Sequence, residues 1–209
     1  MAASRWKSTL YASEEFVEAC GAVVFDTSTT HGQVLLLYYG AMDEWLLPKG
    51  RRNCNETRKA AAIREVREES GYAIQLRPIT MATRAPSELE LADVKDVPRT
   101  YNSLTEPFIL DVRDLGKGNG VKLVWWFIAE LGGIAGEGEA QFKPRFFSCD
   151  EAVERLTYQK DREVLLKALE LMELSADQHT QSAGVNGDSC GGTNGSLASP
   201  PDTTQEQTA

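Results

Sequence analysis

Histidine is almost missing from this chain. Of its 209 residues only His31 and His179 are histidine. His31 falls in a polar, turn-like stretch and His179 toward the C-terminus, so Ser-His-Asp triads and zinc–histidine sites have little to be built from. Cysteine is scarce too. Cys20, Cys54, Cys149 and Cys190 never stand at CxxC spacing, which argues against zinc-ribbon and dithiol motifs and fits a reducing compartment. No apolar run approaches the length of a membrane-spanning helix. The opening MAASRWKSTLYASEEF lacks the continuous apolar core of a secretory signal. The expectation is a soluble protein of the cytoplasm, with the nucleus left open and no membrane partner. Cations are outnumbered: 22 Lys and Arg against 31 Asp and Glu leave a formal net charge of −9. That disfavours generic nucleic-acid binding, since a phosphate backbone calls for a basic surface. No internal repeat is visible.

What is present is a chain with 42% hydrophobic residues, enough for one domain with a real core. Its most organised stretch runs from Gly50 to Tyr72, GRRNCNETRKAAAIREVREESGY. Gly50 is followed by five residues and Glu56, then by seven residues and Arg64-Glu65-Val66-Arg67-Glu68-Glu69-Ser70-Gly71-Tyr72. On a helix, Glu65, Glu68 and Glu69 stand at i, i+3 and i+4 and share one face. Three like charges there repel unless a cation sits among them. Hard oxygen ligands on a rigid scaffold suit Mg²⁺ or Mn²⁺, with water or substrate phosphate filling the remaining positions. A surface helix laced with salt bridges uses the same residue types, but it does not require glycines at fixed distance on both sides.

This stretch resembles the signature box of the Nudix hydrolases. It matches every fixed position except the closing apolar one, where Tyr72 stands. The resemblance implies an α/β/α sandwich with a mixed β-sheet over about residues 16–172. It also implies roles. Glu65 and Glu69 would bind Mg²⁺ or Mn²⁺, together with the Gly50 carbonyl. Glu68 would be the general base, a role other members give to a glutamate elsewhere, with Glu88, Glu90 and Glu106 as alternatives. Arg64 would hold Glu65 or Glu69 in its rotamer through a bidentate pair. Glu56 would orient the loop or complement the helix N-terminus. Gly50 would let the loop approach metal and phosphate closely, with a positive φ as a further reason for glycine.

Taken in order, hydrophobic patterning predicts strands over 16–25, 33–39 and 44–47. A helix should start near Glu56, capped by Asn55 or Thr57, and bury Ala60, Ala61, Ala62, Ile63 and Val66. Gly71 suits the left-handed stop after it. A strand over 72–82 leads into a long connection over 83–106, either a functional loop or a disordered one. Strands over 108–112, 121–131 and 142–149 precede one helix opening at Asp150 and another over 161–174. From Ser175 the composition turns to Ser, Gly, Thr, Gln and Asn without Lys or Arg, too polar to fold. The expected division is an N-terminal arm over 1–15, a Nudix hydrolase domain over 16–174 and a disordered tail over 175–209.

Phosphoanhydride hydrolysis needs the developing phosphoryl charge neutralised and a water held in line. Lys49, Arg51, Arg52, Arg58 and Lys59 crowd the start of the box, and Lys49, Arg51 and Arg52 are the candidate substrate contacts. Ala19-Cys20-Gly21, followed by Pro48-Lys49-Gly50, looks similar to diadenosine tetraphosphate hydrolases. Diphosphoinositol polyphosphate phosphohydrolases are a second resemblance, although the first strand lacks arginines that bind inositol phosphates in some of them. The expected partner is a small polyphosphate, such as a diphosphoinositol polyphosphate or a dinucleoside polyphosphate. ADP-ribose or NADH cleavage, and a non-catalytic binding module, are the other classes, but the box keeps all its carboxylates. Trp125 and Trp126 must face opposite ways on one strand. One belongs in the core. The other would lie on an adenine or beneath a terminal helix.

Overall fold

The computed structural model describes residues 5–29, 32–91 and 95–183. His31 and Cys190 therefore lie outside the described residues, as do 1–4 of the arm and 184–209 of the tail. The elements are β1 (Phe16–Asp26), β2 (Gln33–Tyr39), β3 (Glu44–Leu46), β4 (Lys49–Arg51), α1 (Arg58–Ser70), β5 (Tyr72–Leu76) and β6 (Ile79–Thr83). They continue with β7 (Arg99–Leu104), β8 (Ile109–Asp114), β9 (Val121–Ile134), β10 (Phe142–Ser148), α2 (Cys149–Arg155) and α3 (Gln159–Ala183).

β1 is the centre of the molecule. Its run FVEACGAVVFD is apolar on both faces, as a strand covered on both sides must be. Side chains alternate along it. Cys20, Ala22 and Val24 join a core with Ala61, Ala62 and Val66 of α1, while Ala19, Val23 and Phe25 join a second core with Leu156, Leu165 and Ala168 from the α2–α3 side. The sheet order is β10-β2-β1-β9-β5, with β3 on β2, β4 on β1 and β8 on β9. β1 and β9 are parallel, from Phe16 opposite Val121 to Phe25 opposite Glu130, and the other pairs are antiparallel. This is the expected mixed-sheet α/β/α sandwich.

One edge of β1 changes partner part-way along. β2 pairs with Phe25 and Asp26, and β4 pairs with Ala19, Cys20 and Gly21. Gly21 makes the change possible, because a Cβ there would lie 2.4 Å from the Pro48 carbonyl and 2.6 Å from Lys49 Cβ. Lys49–Arg51, outside the strands expected from patterning, forms β4, which carries Gly50 up against α1.

Two boundaries differ from expectation. The strand expected over 72–82 is broken at Arg77-Pro78, since proline offers no N–H to the ladder. After it β6 pairs with β7 in a separate two-stranded sheet, so part of the long connection is a strand. The register shifts between Ile79 and Met81. The Thr80 N–H at this bulge donates to Ser175 Oγ at 2.9 Å, and Ser175 Oγ donates to the Leu171 carbonyl at 2.8 Å. Ser175 is buried and α3 continues to Ala183, past the helix end expected at 174. Composition marked the serine as tail, but two hydrogen bonds make it part of the body. Among the described residues no helix is long and apolar enough to cross a membrane.

Candidate functional site

α1 and the turn before it build the site. Asn55 takes φ +62° in that turn, and Thr57 caps the helix, its Oγ1 accepting the Ala60 N–H at 3.1 Å. At the other end Gly71 (φ +76°) closes the helix with its N–H on the Arg67 carbonyl. A Cβ on Gly71 would lie 2.5 Å from the Gly136 carbonyl, so the helix end is tied to the loop after β9. The buried side of α1 is Ala61, Ala62, Glu65, Val66 and Ser70. Ala60 and Ile63, expected inside, are exposed. The helix is turned so that the glutamate side meets β4.

Arg64 knits the carboxylates together. Its Nε and Nη2 form a bidentate pair with Glu56 at 2.8 and 2.9 Å. Its Nη1 donates to Glu65 Oε1 and to Glu68 Oε2, each at 2.7 Å, and Nη2 also reaches the Arg51 carbonyl at 2.9 Å. The expected bidentate pair with Glu65 or Glu69 is therefore corrected. The fork belongs to Glu56, Glu65 takes a single bond and Glu69 none. Glu56 also accepts the Asn53 N–H at 2.9 Å. The Arg64 guanidinium holds the Glu56 carboxyl at about 2. Glu56 thus orients the loop, as expected.

Gly50 needs no positive φ; its neighbour is what demands glycine. A Cβ there would lie 1.8 Å from Glu65 Oε2. Backbone and carboxylate are in direct apposition, and burial raises the Glu65 carboxyl above its ordinary value. Glu69 reaches the same strand, with Oε2 accepting the Lys49 N–H at 2.8 Å. Burial pushes Glu69 up to about 8. Glu68 is exposed.

The three glutamates are not gathered into a ready cage. Among the described residues no three His, Cys, Asp or Glu side chains are placed to hold a metal ion. Arg64 holds Glu65 and Glu68, and the Lys49 N–H holds Glu69. The donor set still fits a hard divalent cation. Glu69 is a half-buried carboxylate with no ion-pair partner among the described residues, and buried Glu65 sits on the bare backbone of Gly50.

The cations sort into two groups. Arg52 Nε donates to Glu18 at 2.8 Å and Nη1 to the carbonyls of Asn53 and Glu56, so its guanidinium is engaged with the scaffold. Arg58 pairs with Glu18, and Lys59 with Glu106. Glu90 is engaged by Tyr101 and Arg99 on β7. Lys49 and Arg51 stand on β4 with side chains uncommitted to any described ion pair.

Sequence reasoning missed three residues. Glu139, after β9, donates its N–H to the Glu68 carbonyl at 2.8 Å, and its charge acts on both Glu65 and Glu69. Lys122 and Arg113 face each other across β9 and β8, on the same side of the sheet as Lys49 and Arg51. Lys122 is half-buried, and its ammonium is lowered by burial and then by Lys49, Arg113 and Arg51. Nothing local in the sequence marks these residues: Lys122 and Arg113 join the site through strand pairing, and Glu139 through a backbone bond from the loop after β9 to α1. The tryptophans separate as the pleat requires. Trp126 is fully buried, and Trp125 lies under Arg58, whose guanidinium carbon is 3.9 Å from the ring centre.

The comparison with known families agrees with this geometry, since residues 16–169 match the NUDIX domain. The chain belongs to the NUDIX family. A curated relative, the 8-oxo-(d)GTP phosphatase of Mycolicibacterium smegmatis, is 27% identical over 169 residues, covering 76% of this chain and 43% of that protein. The chain thus spans less than half the length of this relative. Similar solved structures include the C. elegans Ap4A hydrolase, at 20% identity, 74% and 96% coverage of the two chains and a TM-score of 0.45. A NUDIX hydrolase from Nitrosomonas europaea matches at 14% identity, 76% and 88% coverage and a TM-score of 0.48.

Proposed function

We propose that this NUDIX domain hydrolyses a phosphoanhydride bond in a small polyphosphorylated molecule. Mg²⁺ or Mn²⁺ would be held by Glu65, Glu69 and the Gly50 carbonyl. The observation that carries this reading is a buried and a half-buried carboxylate against the backbone of β4, the second without an ion-pair partner among the described residues. A bound divalent ion would neutralise charge on the phosphoryl oxygens and acidify a water. The protein's own groups do the rest. Arg64 keeps Glu65 and Glu68 in place through bonds of 2.7 Å. Glu68, exposed at the rim, takes the proton from the attacking water, with Glu139 as the neighbouring alternative. A groove of about 630 Å³, floored by Ala60, Ile63 and Ala135, opens beside Arg64 and Glu68 and leaves room for a leaving group.

Lys49 and Arg51, with Lys122 on the same sheet face, would hold the further phosphates. Several cations in one place support a substrate with several phosphates, such as a dinucleoside polyphosphate or a diphosphoinositol polyphosphate. The likeness to an 8-oxo-(d)GTP phosphatase supports a second reading, a nucleoside triphosphate. The test is a panel with each metal: dinucleoside tetraphosphate, diphosphoinositol pentakisphosphate, nucleoside triphosphates, ADP-ribose and NADH, with products resolved by chromatography. Cleavage of a member with three or more linked or clustered phosphates is expected. Tight binding without any product would make this a binding module instead.

A further inference from the structure

Helix α1 starts against its own electrostatics. Its first two residues are Arg58 and Lys59, and its first turn holds no acid. Cations at a helix N-terminus oppose the macrodipole. Glu18, in the middle of the sheet, answers this. Its side chain is only 9% exposed. Its carboxylate accepts from Arg52 Nε at 2.8 Å, from Arg58 Nε and Nη2 at 2.8 and 2.6 Å, and from Trp125 Nε1 at 2.9 Å. Its carbonyl also accepts the Arg52 N–H at 3.0 Å. Four side-chain donors from a loop, a helix and a neighbouring strand meet on one half-buried carboxylate. An ordinary surface ion pair does not look like this.

The contacts lead on toward the proposed metal ligands. Arg52 is two residues after Gly50 and passes its grip to the Asn53 and Glu56 carbonyls at 3.2 and 2.9 Å. Glu56 then holds Arg64, which holds Glu65 and Glu68. Arg58, clamped between Glu18 and the face of Trp125, sets where α1 begins. We infer that Glu18 is a positioning residue: through Arg52, Arg58 and Trp125 it presets the Gly50–Glu56 loop and the start of α1 for the divalent ion. This rests on the metal reading above. It also assigns Trp125 to the clamp, not to a substrate ring.

The test is Mn²⁺ binding to the full chain without substrate, followed by electron paramagnetic resonance, for the wild type, Glu18→Gln and Trp125→Phe. Glu18→Gln removes the charge-assisted anchor of Arg52 and Arg58, so a drop in Mn²⁺ affinity of about tenfold is expected. KM for substrate at saturating metal should stay unchanged while kcat falls. Trp125→Phe keeps a ring under Arg58 and loses one hydrogen bond, so a drop of about threefold is expected. It keeps the test decisive should Glu18→Gln fail to fold. Variants that fold, melt lower and bind Mn²⁺ as tightly as the wild type would overturn the inference. A wild type that binds no Mn²⁺ would overturn the metal assignment itself, and this inference with it.

Discussion

Glu69 shows how one side chain sets conditions on the site. Its ordinary value is 4.5 and its buried value about 8. Between these two, the unfolded chain has released a proton that the fold retains, so stability without metal falls as pH rises across that window. Denaturation in chelator at about pH 5 and about pH 8 should show the loss. Glu69→Gln should remove this dependence, keep the fold and abolish turnover. Wild-type-like activity in that variant would contradict its place as a ligand. Gly50 gives a steric counterpart. Gly50→Ala puts a methyl 1.8 Å from Glu65 Oε2, so one of the two must move. Overpacking of this kind costs about 1–3 kcal/mol, and the larger loss should be in metal affinity, read by titration.

At the scale of elements, the signs of α1 were plain because they are local: Thr57, Gly71 and glutamates at helical spacing. The break at Pro78 and the bulge at Thr80 were not, since their meaning depends on what packs against them. Ser175 is the clearest case. Ser175→Ala leaves the Thr80 N–H without its acceptor, and an unpaired buried donor costs about 1–3 kcal/mol. Chemical denaturation should show that loss with no change in catalytic rate. A variant as stable as the wild type would return Ser175 to the tail, where its composition had placed it.

For the whole molecule, the active end is built where β1 changes partner and where α1 and the loop after β9 meet, so folding and ion binding are linked. An ion that binds only the folded state at a hundred times its dissociation constant adds about 2.7 kcal/mol. For a chain of this size that is about 5–10 °C in Tm. Mg²⁺ or Mn²⁺ should raise Tm by this order and chelator should reverse it. A Tm indifferent to both would count against the Glu65–Glu69 site. The shift should be larger at high pH, where Glu69 charged without an ion is most costly.

The residues themselves determined the layer architecture, the helix with its caps, and the candidate ligands Gly50, Glu65 and Glu69. These are matters of period and spacing, which a chain carries in linear order. Only the tertiary structure decided that Arg52 belongs to Glu18, that Arg64 forks onto Glu56, and that Glu139 and Lys122 come beside the box. Arg52 and Lys122 arrive through strand pairing across dozens of residues, Arg64 meets Glu56 across the turn before α1, and Glu139 comes from the loop after β9. A charge acts through distance in space, and sequence separation does not record that.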